Sequence, residues 1–250
     1  MIRLKNAKQI EGIRESCKLL AAMFGEIRPL VVPGVETREL DIWARDWIRK
    51  AGGRPAILGY GDRSNPFPGA LCISLNEEVI HGIPSRRKIA AGDLVSIDSG
   101  IDLAGFISDK SETFEAGRVS EAAAALNTAT RECLYKGIAA VQPGARLHQI
   151  ARAVQSHAVS RGYGVVEHYC GHGVGFDVHE DPQVPNVPQG PNPRMMNGLV
   201  IAIEPMINLG TGDVELLEDG WTVVTADRRL SAHWEHTVAV FRDHAEILTL

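Results

Sequence analysis

The segment LVSIDSGIDLAGFISDKSETF, residues 94–114, constrains this chain more than any other stretch. Apolar and β-branched residues flank a break at Asp102–Gly105, the pattern of a β-hairpin. With the turn centred between Leu103 and Ala104, Asp98 and Asp109 stand directly opposite each other on one face, their Cβ atoms about 5 Å apart. Opposed carboxylates repel and cost stability unless one is protonated or a cation lies between them. A slip of one residue would send them to opposite faces, as ordinary solvated acids. With the predicted register, the hairpin reads as part of a metal site.

The bulk of the chain sets the frame for that site. At 250 residues, 44% hydrophobic and 23% charged, it is an ordinary globular sequence, long enough for one large domain or two small ones. A net charge of −5 and a pI near 6.0 leave no basic footprint for nucleic acid or an anionic membrane. Cys17, Cys72, Cys133 and Cys170 form no CxxC pair, so neither a zinc ribbon nor a disulfide framework is expected. Reduced thiols fit a cytoplasmic protein. The N-terminus, MIRLKNAKQIEGIRE, lacks the apolar core of a signal peptide.

Residues 7–27 place Ile10, Ile13, Cys17, Leu20, Ala21, Phe24 and Ile27 on one helical stripe. A second helix is predicted with Thr37 as N-cap and Leu40, Trp43, Ala44, Trp47 and Ile48 inward, ending at Gly52-Gly53. A third begins near Ser120. Pro143-Gly144, Ile150 and Gly162 repeat Pro33-Gly34, Leu40 and Gly52 at a constant offset of 110 residues. This reads as the remnant of an internal duplication, although Pro-Gly connectors also recur by chance. Two related α+β halves with a site between them, in one domain over residues 1–250, are expected.

The second half adds three side chains of metal-ligating type. His172 lies in EHYCGHGVGFDVHEDP, Glu204 closes the apolar run LVIAIEPM, and Glu235 lies in LSAHWEHTVAVF. A glutamate set in apolar sequence is rarely buried unless paired. Four carboxylates and one imidazole make an oxygen-rich donor set, suited to two divalent ions of the Mn, Fe, Co or Zn type. Two ions about 3.5–4 Å apart activate water for hydrolysis. His233-x-x-His236 could also bind metal, but flanking strand positions explain it as well.

At these residues a resemblance becomes specific. CISLNEEVIHGIP, the Asp98/Asp109 hairpin, YCGHGVGFDVHEDPQV, AIEPM and LSAHWEHTVAV resemble the motif series of type I methionine aminopeptidases, dinuclear metallopeptidases of the pita-bread superfamily. The likeness runs in order over nearly the whole chain. It implies an α+β pita-bread fold, with two pseudo-symmetric halves around a central antiparallel sheet. It also implies removal of N-terminal methionine from nascent chains with a small second residue. By resemblance Asp98, Asp109, His172, Glu204 and Glu235 are the metal ligands, Asp109 and Glu235 bridging two ions. Glu204 also accepts the proton of the attacking water. His179 matches the histidine that donates to the scissile peptide, and His81 the one that positions the free N-terminus. Tyr60, Phe67, Cys72 and Trp221 match the walls of the methionine pocket, where aromatic and sulfur neighbours suit a thioether. Core packing is the competing reading, above all for Cys72. Peptide and nascent-chain N-termini, and with them the ribosome, are the implied partners of a monomer that binds neither membrane nor nucleic acid directly.

The chain departs from the pattern in three places. Val178 stands where the family usually has phenylalanine, and Gly61 to Pro66 lengthen the loop between Tyr60 and Phe67. Ser108-Asp109 and the run from Gly173 to Glu180 lean toward Xaa-Pro aminopeptidases and dipeptidases, relatives with the same five ligands. Against them stand the CISLNEEVIHGIP segment and His236 after the last ligand, where those enzymes typically have an acid. A non-catalytic pita-bread module and an unrelated two-metal phosphoesterase are the rivals of another class.

Overall fold

A computed structural model describes residues 1–250. In the first half, helix α1 (Ala7–Ile27) is followed by a 3₁₀ turn and helix α2 (Thr37–Lys50). Strands β1 (Arg54–Pro55), β2 (Cys72–Leu75), β3 (Glu78–Ile80), β4 (Leu94–Leu103) and β5 (Phe106–Glu115) come next. The second half repeats the order with helices α3 (Glu121–Ala139) and α4 (His148–Ser160). Its strands are β6 (Gly164–Val165), β7 (Gly171–Gly173), β8 (Glu180–Val184), β9 (Val200–Ile203) and β10 (Met206–Asn208). The chain closes with β11 (Val214–Leu216), β12 (Val223–Thr225), β13 (Ser231–His233), β14 (His236–Val240) and β15 (Ala245–Ile247).

Helix α1 forms where the apolar stripe predicts it. Asn6 Oδ1 accepts from Gln9 N and Gln9 Oε1 accepts from Asn6 N, a reciprocal cap that satisfies two otherwise free N–H groups. Met23 is fully buried on this stripe, whereas Ala21 is only half-buried. Helix α2 starts one residue earlier in its cap than predicted. Glu36, not Thr37, is the N-cap, paired with Glu39 in a capping box. The Thr37 hydroxyl turns instead to the backbone of Ser85. Ser120 caps α3, as the sequence predicts.

The two halves share a backbone pattern. Gly34 N donates to Ile89 O at 2.8 Å and, 110 residues on, Gly144 N donates to Met195 O at 2.7 Å. The isolated bridge Glu36↔Lys88 likewise recurs as Arg146↔Arg194. Strands β1 and β6 follow α2 and α4 at the same offset. Each half has its own core: Leu20, Phe24, Leu40, Ile73 and Ile97 in the first, Leu134, Ile150, Val154, Ile201 and Val238 in the second.

Strands β1, β4, β2 and β5 make one antiparallel sheet, and β15-β14-β9-β7-β8 another. They meet where β5 runs beside the start of β14: Thr237 Oγ1 donates to Asp109 O at 2.7 Å and Glu235 N donates to Ser111 O at 2.9 Å. No helix is long and apolar enough to cross a membrane.

The hairpin register differs from the predicted one. Leu103 pairs with Phe106, Asp98 with Ser111 and Gly100 with Asp109. The two-residue turn is Ala104-Gly105, with φ of 54° and 87°, the doubly left-handed geometry of a tight hairpin. Centring the turn there, one residue beyond the predicted point, moves each partner by two. Asp98 and Asp109 are therefore diagonal neighbours on the same face rather than directly opposed, because a shift of two conserves the side-chain alternation.

Candidate active site

The seam between the sheets carries a cavity lined by Asp98, Asp109, His172, Glu204 and Glu235 together with Tyr60, Phe67, Cys72, His81, His179 and Trp221. All eleven residues singled out in the sequence thus converge on one place. Asp98 comes from β4, Asp109 from β5 and His172 from β7, while Glu204 and Glu235 follow β9 and precede β14. Glu235 lies in the break between β13 and β14 rather than within a strand.

Asp109, His172 and Glu235 each offer a ligand atom, all mutually within 4.8 Å. His172 Nε2 is 3.3 Å from Glu204 Oε1 and 3.7 Å from Asp109 Oδ2. Its Nδ1 lies 3.0 Å from Gly173 O, and a carbonyl only accepts, so Nδ1 carries the proton. That contact fixes the ring so that Nε2 faces the carboxylates, where it would become the ligating lone pair once a cation took the place of its proton. Glu235 Oε1 is buried without a hydrogen-bond partner.

Electrostatics single out the same cluster. Burial first, then neighbouring carboxylates, push Asp109 and Glu235 well above the usual carboxylate range. Burial lifts Asp98 to about 6 against the pull of His233 and His172. Burial opposes ionisation of Glu204 too, but the imidazoles of His172 and His233 outweigh it and hold the carboxyl at about 2. Burial likewise disfavours charge on His172, yet Glu204 and Asp109 raise it to about 9. Four carboxylates crowded in a dry site need compensating positive charge, and a mixed O/N donor set with a buried orphan oxygen fits divalent cations.

The walls are apolar and aromatic. Phe67 stacks edge-on against Trp221 at 5.2 Å between ring centres. Val178 is buried with Ile57, Phe67 and Cys72, so residue 178 falls inside the pocket wall. The Tyr60 hydroxyl is 2.7 Å from His179 Nδ1, at the more open mouth. His81, in a left-handed backbone conformation after β3, packs against Tyr169 and Trp221. Burial lowers both His81 and His179 to about 4, so both rings are neutral at pH 7. The loop between Tyr60 and Phe67 is a closed structure that braces the wall. Phe67 N donates to Tyr60 O, Trp221 Nε1 donates to Asn65 O at 3.1 Å, and Asn65 Nδ2 donates to Asp219 O at 3.0 Å. Gly61 is required there, because a Cβ would meet the Trp221 ring at 2.6 Å.

Two contributors escaped the sequence reading. Lys5 Nζ pairs at 2.7 Å with Glu180 Oε2, both side chains buried, and Glu180 Oε1 accepts from Phe176 N at 2.7 Å. The N-terminal segment thus anchors the loop that carries Val178 and His179. No local signal links residues 175 positions apart. His233, set aside as a flanking position, is buried beside Glu204 at 3.5 Å. Its only signal was its place two residues before Glu235.

This chain belongs to metallopeptidase family M24, whose model matches residues 11–241. Its relatives within that family include methionine aminopeptidases matched over the whole chain. The methionine aminopeptidase of Treponema pallidum is 54% identical over 100% of this chain and 96% of its own length. Methionine aminopeptidase 1 of Bacillus subtilis is 42% identical over 100% and 99%. The crystal structure of methionine aminopeptidase from Rickettsia prowazekii superimposes with a TM-score of 0.96 at 37% identity, covering 100% of both chains. The prolidase from Pyrococcus horikoshii OT3 has a TM-score of 0.80 at 22% identity, covering 99% of this chain and 63% of that one, a likeness of fold alone. The two-halved α+β architecture is the pita-bread fold.

Proposed function

We propose that this chain is a methionine aminopeptidase that releases N-terminal methionine from nascent proteins with a small second residue, acting in the cytoplasm as a single-domain monomer. The observation that carries the reading is one cavity whose floor is a buried carboxylate–imidazole cluster and whose wall is an apolar, aromatic pocket. The floor fits hydrolysis and the wall fits a methionine side chain, with peptide N-termini as substrate and the ribosome as the place where nascent chains are met. Relatives named for this activity at 42–54% identity support it.

Asp98, Asp109, His172, Glu204 and Glu235 would hold two divalent ions of the Co, Mn, Fe or Zn type, Asp109 and Glu235 being the two carboxylates that the resemblance assigns to both. Such ions supply Lewis acidity, which lowers the pKa of water at the site. Glu204, held ionised by its flanking imidazoles, accepts a proton from the attacking water. The neutral His179 ring, with Tyr60 at Nδ1, presents its other nitrogen to the scissile carbonyl, where negative charge develops. His81 orients the free amine. Tyr60, Phe67, Cys72 and Trp221, with Val178 and Ile57, exclude water from the methionine side chain.

The test is to compare hydrolysis of Met-Ala-Ser and Ala-Pro-Ala by the protein loaded in turn with Co²⁺, Mn²⁺, Fe²⁺ or Zn²⁺. Preferential release of methionine is the expected outcome. Dominant cleavage of Ala-Pro-Ala would assign the chain to the Xaa-Pro peptidases. Tight peptide binding without turnover at any metal would make it a binding module.

A further inference from the structure

Beside Glu204, but outside the cavity lining, lies the His233 imidazole at the end of β13, 1% exposed. Its backbone is fixed from β5: Thr113 Oγ1 donates to His233 O at 2.8 Å, and His233 N donates back to Thr113 Oγ1 at 2.9 Å. Its Nδ1 lies 3.0 Å from Ser111 Oγ. Its Nε2 is buried with no hydrogen-bond partner, and the carboxylate oxygen that it faces is Glu204 Oε2, at 3.5 Å. The other oxygen of that carboxylate, Oε1, faces His172 Nε2 at 3.3 Å. Glu204 is thus flanked by two imidazoles, one at each oxygen.

The position of the ring proton follows from these contacts. A neutral imidazole has one donor and one acceptor nitrogen. A proton on Nδ1 would leave the Nε2 lone pair facing a carboxylate lone pair in a dry site, a repulsive arrangement. With the Ser111 hydroxyl donating to Nδ1, the proton sits on Nε2 and points at Glu204. The other acceptor near Ser111 Oγ, the His233 carbonyl at 3.5 Å, makes the longer of the two contacts, so the hydroxyl proton goes to Nδ1 at 3.0 Å.

We propose that His233 is a positioning residue that holds Glu204 through Nε2–H at Oε2, leaving Oε1 turned to the cavity. The proposal rests on the reading of Glu204 as a metal ligand and proton acceptor. Tying one oxygen stops the carboxylate from rotating, so that the same oxygen is presented in every turnover. Ser111 acts one step further back by fixing the imidazole tautomer.

The experiment compares His233→Met, which keeps the bulk and removes the donor, with His233→Gln, which restores an N–H at similar reach. Co²⁺ binding is measured by calorimetry, the Co²⁺ absorption spectrum is recorded, and kcat and KM are measured on Met-Ala-Ser at saturating Co²⁺. His233→Met is expected to lower kcat about 10–100-fold, with a parallel loss of Co²⁺ affinity and KM nearly unchanged. His233→Gln is expected to recover most of both. If His233→Met does not fold, Ser111→Ala reads the same linkage, with a smaller fall in kcat at constant KM. Wild-type kcat and Co²⁺ affinity in His233→Met, or a glutamine variant as impaired as the methionine one, would overturn the proposal. So would loss of one whole Co²⁺ equivalent that glutamine fails to restore, since His233 would then be a ligand. A wild-type protein that releases no methionine would overturn the functional reading instead, and the Co²⁺ titration and spectrum would still report on the pairing of His233 with Glu204.

Discussion

The two halves of the molecule are built on one backbone pattern but supply different chemistry to the site. The first half places Asp98 and Asp109 on a single ten-residue strand pair joined by a two-residue turn. The second places Glu204 and Glu235 at the open end of β9 and β14, just beyond the pair Ile203↔His236, with β10 to β13 inserted between them. Imidazoles make the larger difference. The second half carries His172, His179 and His233, and two of these hold Glu204 at about 2, whereas burial leaves Asp98 at about 6. One half therefore supplies acids that need a cation to ionise fully. The other keeps one acid ionised beforehand, as a proton acceptor requires.

The largest expected effect tests whether both halves are needed equally. Asp109→Asn and Glu235→Gln each remove a buried carboxylate from the shared cluster, and each should lose bound metal and lower activity by roughly 10³-fold or more. Metal analysis beside kcat/KM reads this. Retention of both metal and activity in either variant would mean that only the other half builds the centre.

Next in size is the contrast between the neutral imidazoles His179 and His81. His179→Ala should lower kcat about 10²–10³-fold, the usual cost of losing a donor to developing charge, with metal content kept. His81→Ala, from the first half, should affect binding of the free amine and so raise KM more than it lowers kcat. Parallel loss of metal in His179→Ala would turn that residue into a ligand or a fold element.

A smaller effect concerns Val178, carried by the loop that the buried Lys5–Glu180 pair anchors. Val178→Phe should sharpen the preference for Met-Ala-Ser over Leu-Ala-Ser, by about tenfold or more, because one methylene in an apolar pocket is worth about 1–3 kcal/mol. An unchanged kcat/KM ratio would show that the wall formed by Ile57, Phe67 and Trp221 sets discrimination without residue 178.

The smallest effect contrasts Lys110 and His236, the residues that follow Asp109 and Glu235. Both reach Thr249, Lys110 Nζ to its carbonyl at 3.1 Å and His236 Nδ1 to its hydroxyl at 2.9 Å. Burial, followed by the cations Lys110 and Arg131, lowers His236 to about 3. Between that value and the unfolded histidine value of about 6.5 the unfolded chain binds the extra proton, so this contribution to stability declines as pH falls through the window. His236→Asn should therefore lose thermal stability less steeply than wild type on acidification from pH 7 to 4, by a few degrees. Equal slopes would assign the acid sensitivity to other groups.

Much of this was legible in the chain itself. Periodicity located α1 and α2 to within a residue, because a helix is specified by contacts three and four residues apart. Alternation put Asp98 and Asp109 on one face, and the repeated Pro-Gly, apolar and Gly positions marked the repeated backbone pattern seen in the hydrogen bonds at Gly34 and Gly144. The motif series identified the residues that line the cavity. Thr37 failed as a cap because Glu36 and Glu39 close the helix start between themselves, freeing Thr37 to bond Ser85.

Tertiary structure decided what depends on distances between residues far apart in sequence. The turn at Ala104-Gly105 set the diagonal offset of the two aspartates, a choice between turns that alternation alone does not distinguish. Joining β5 to β14 brought Asp109 beside Glu235, and the β10–β13 excursion returned His233 to the back of Glu204. Lys5 met Glu180 across nearly the whole chain, and Tyr60 met His179 across 119 positions. Residue type and local spacing specify which side chains can do the chemistry. Which oxygen faces which imidazole, and so which carboxylate is ionised, is set by packing that brings distant segments within a few ångströms, where burial and charge act over short range.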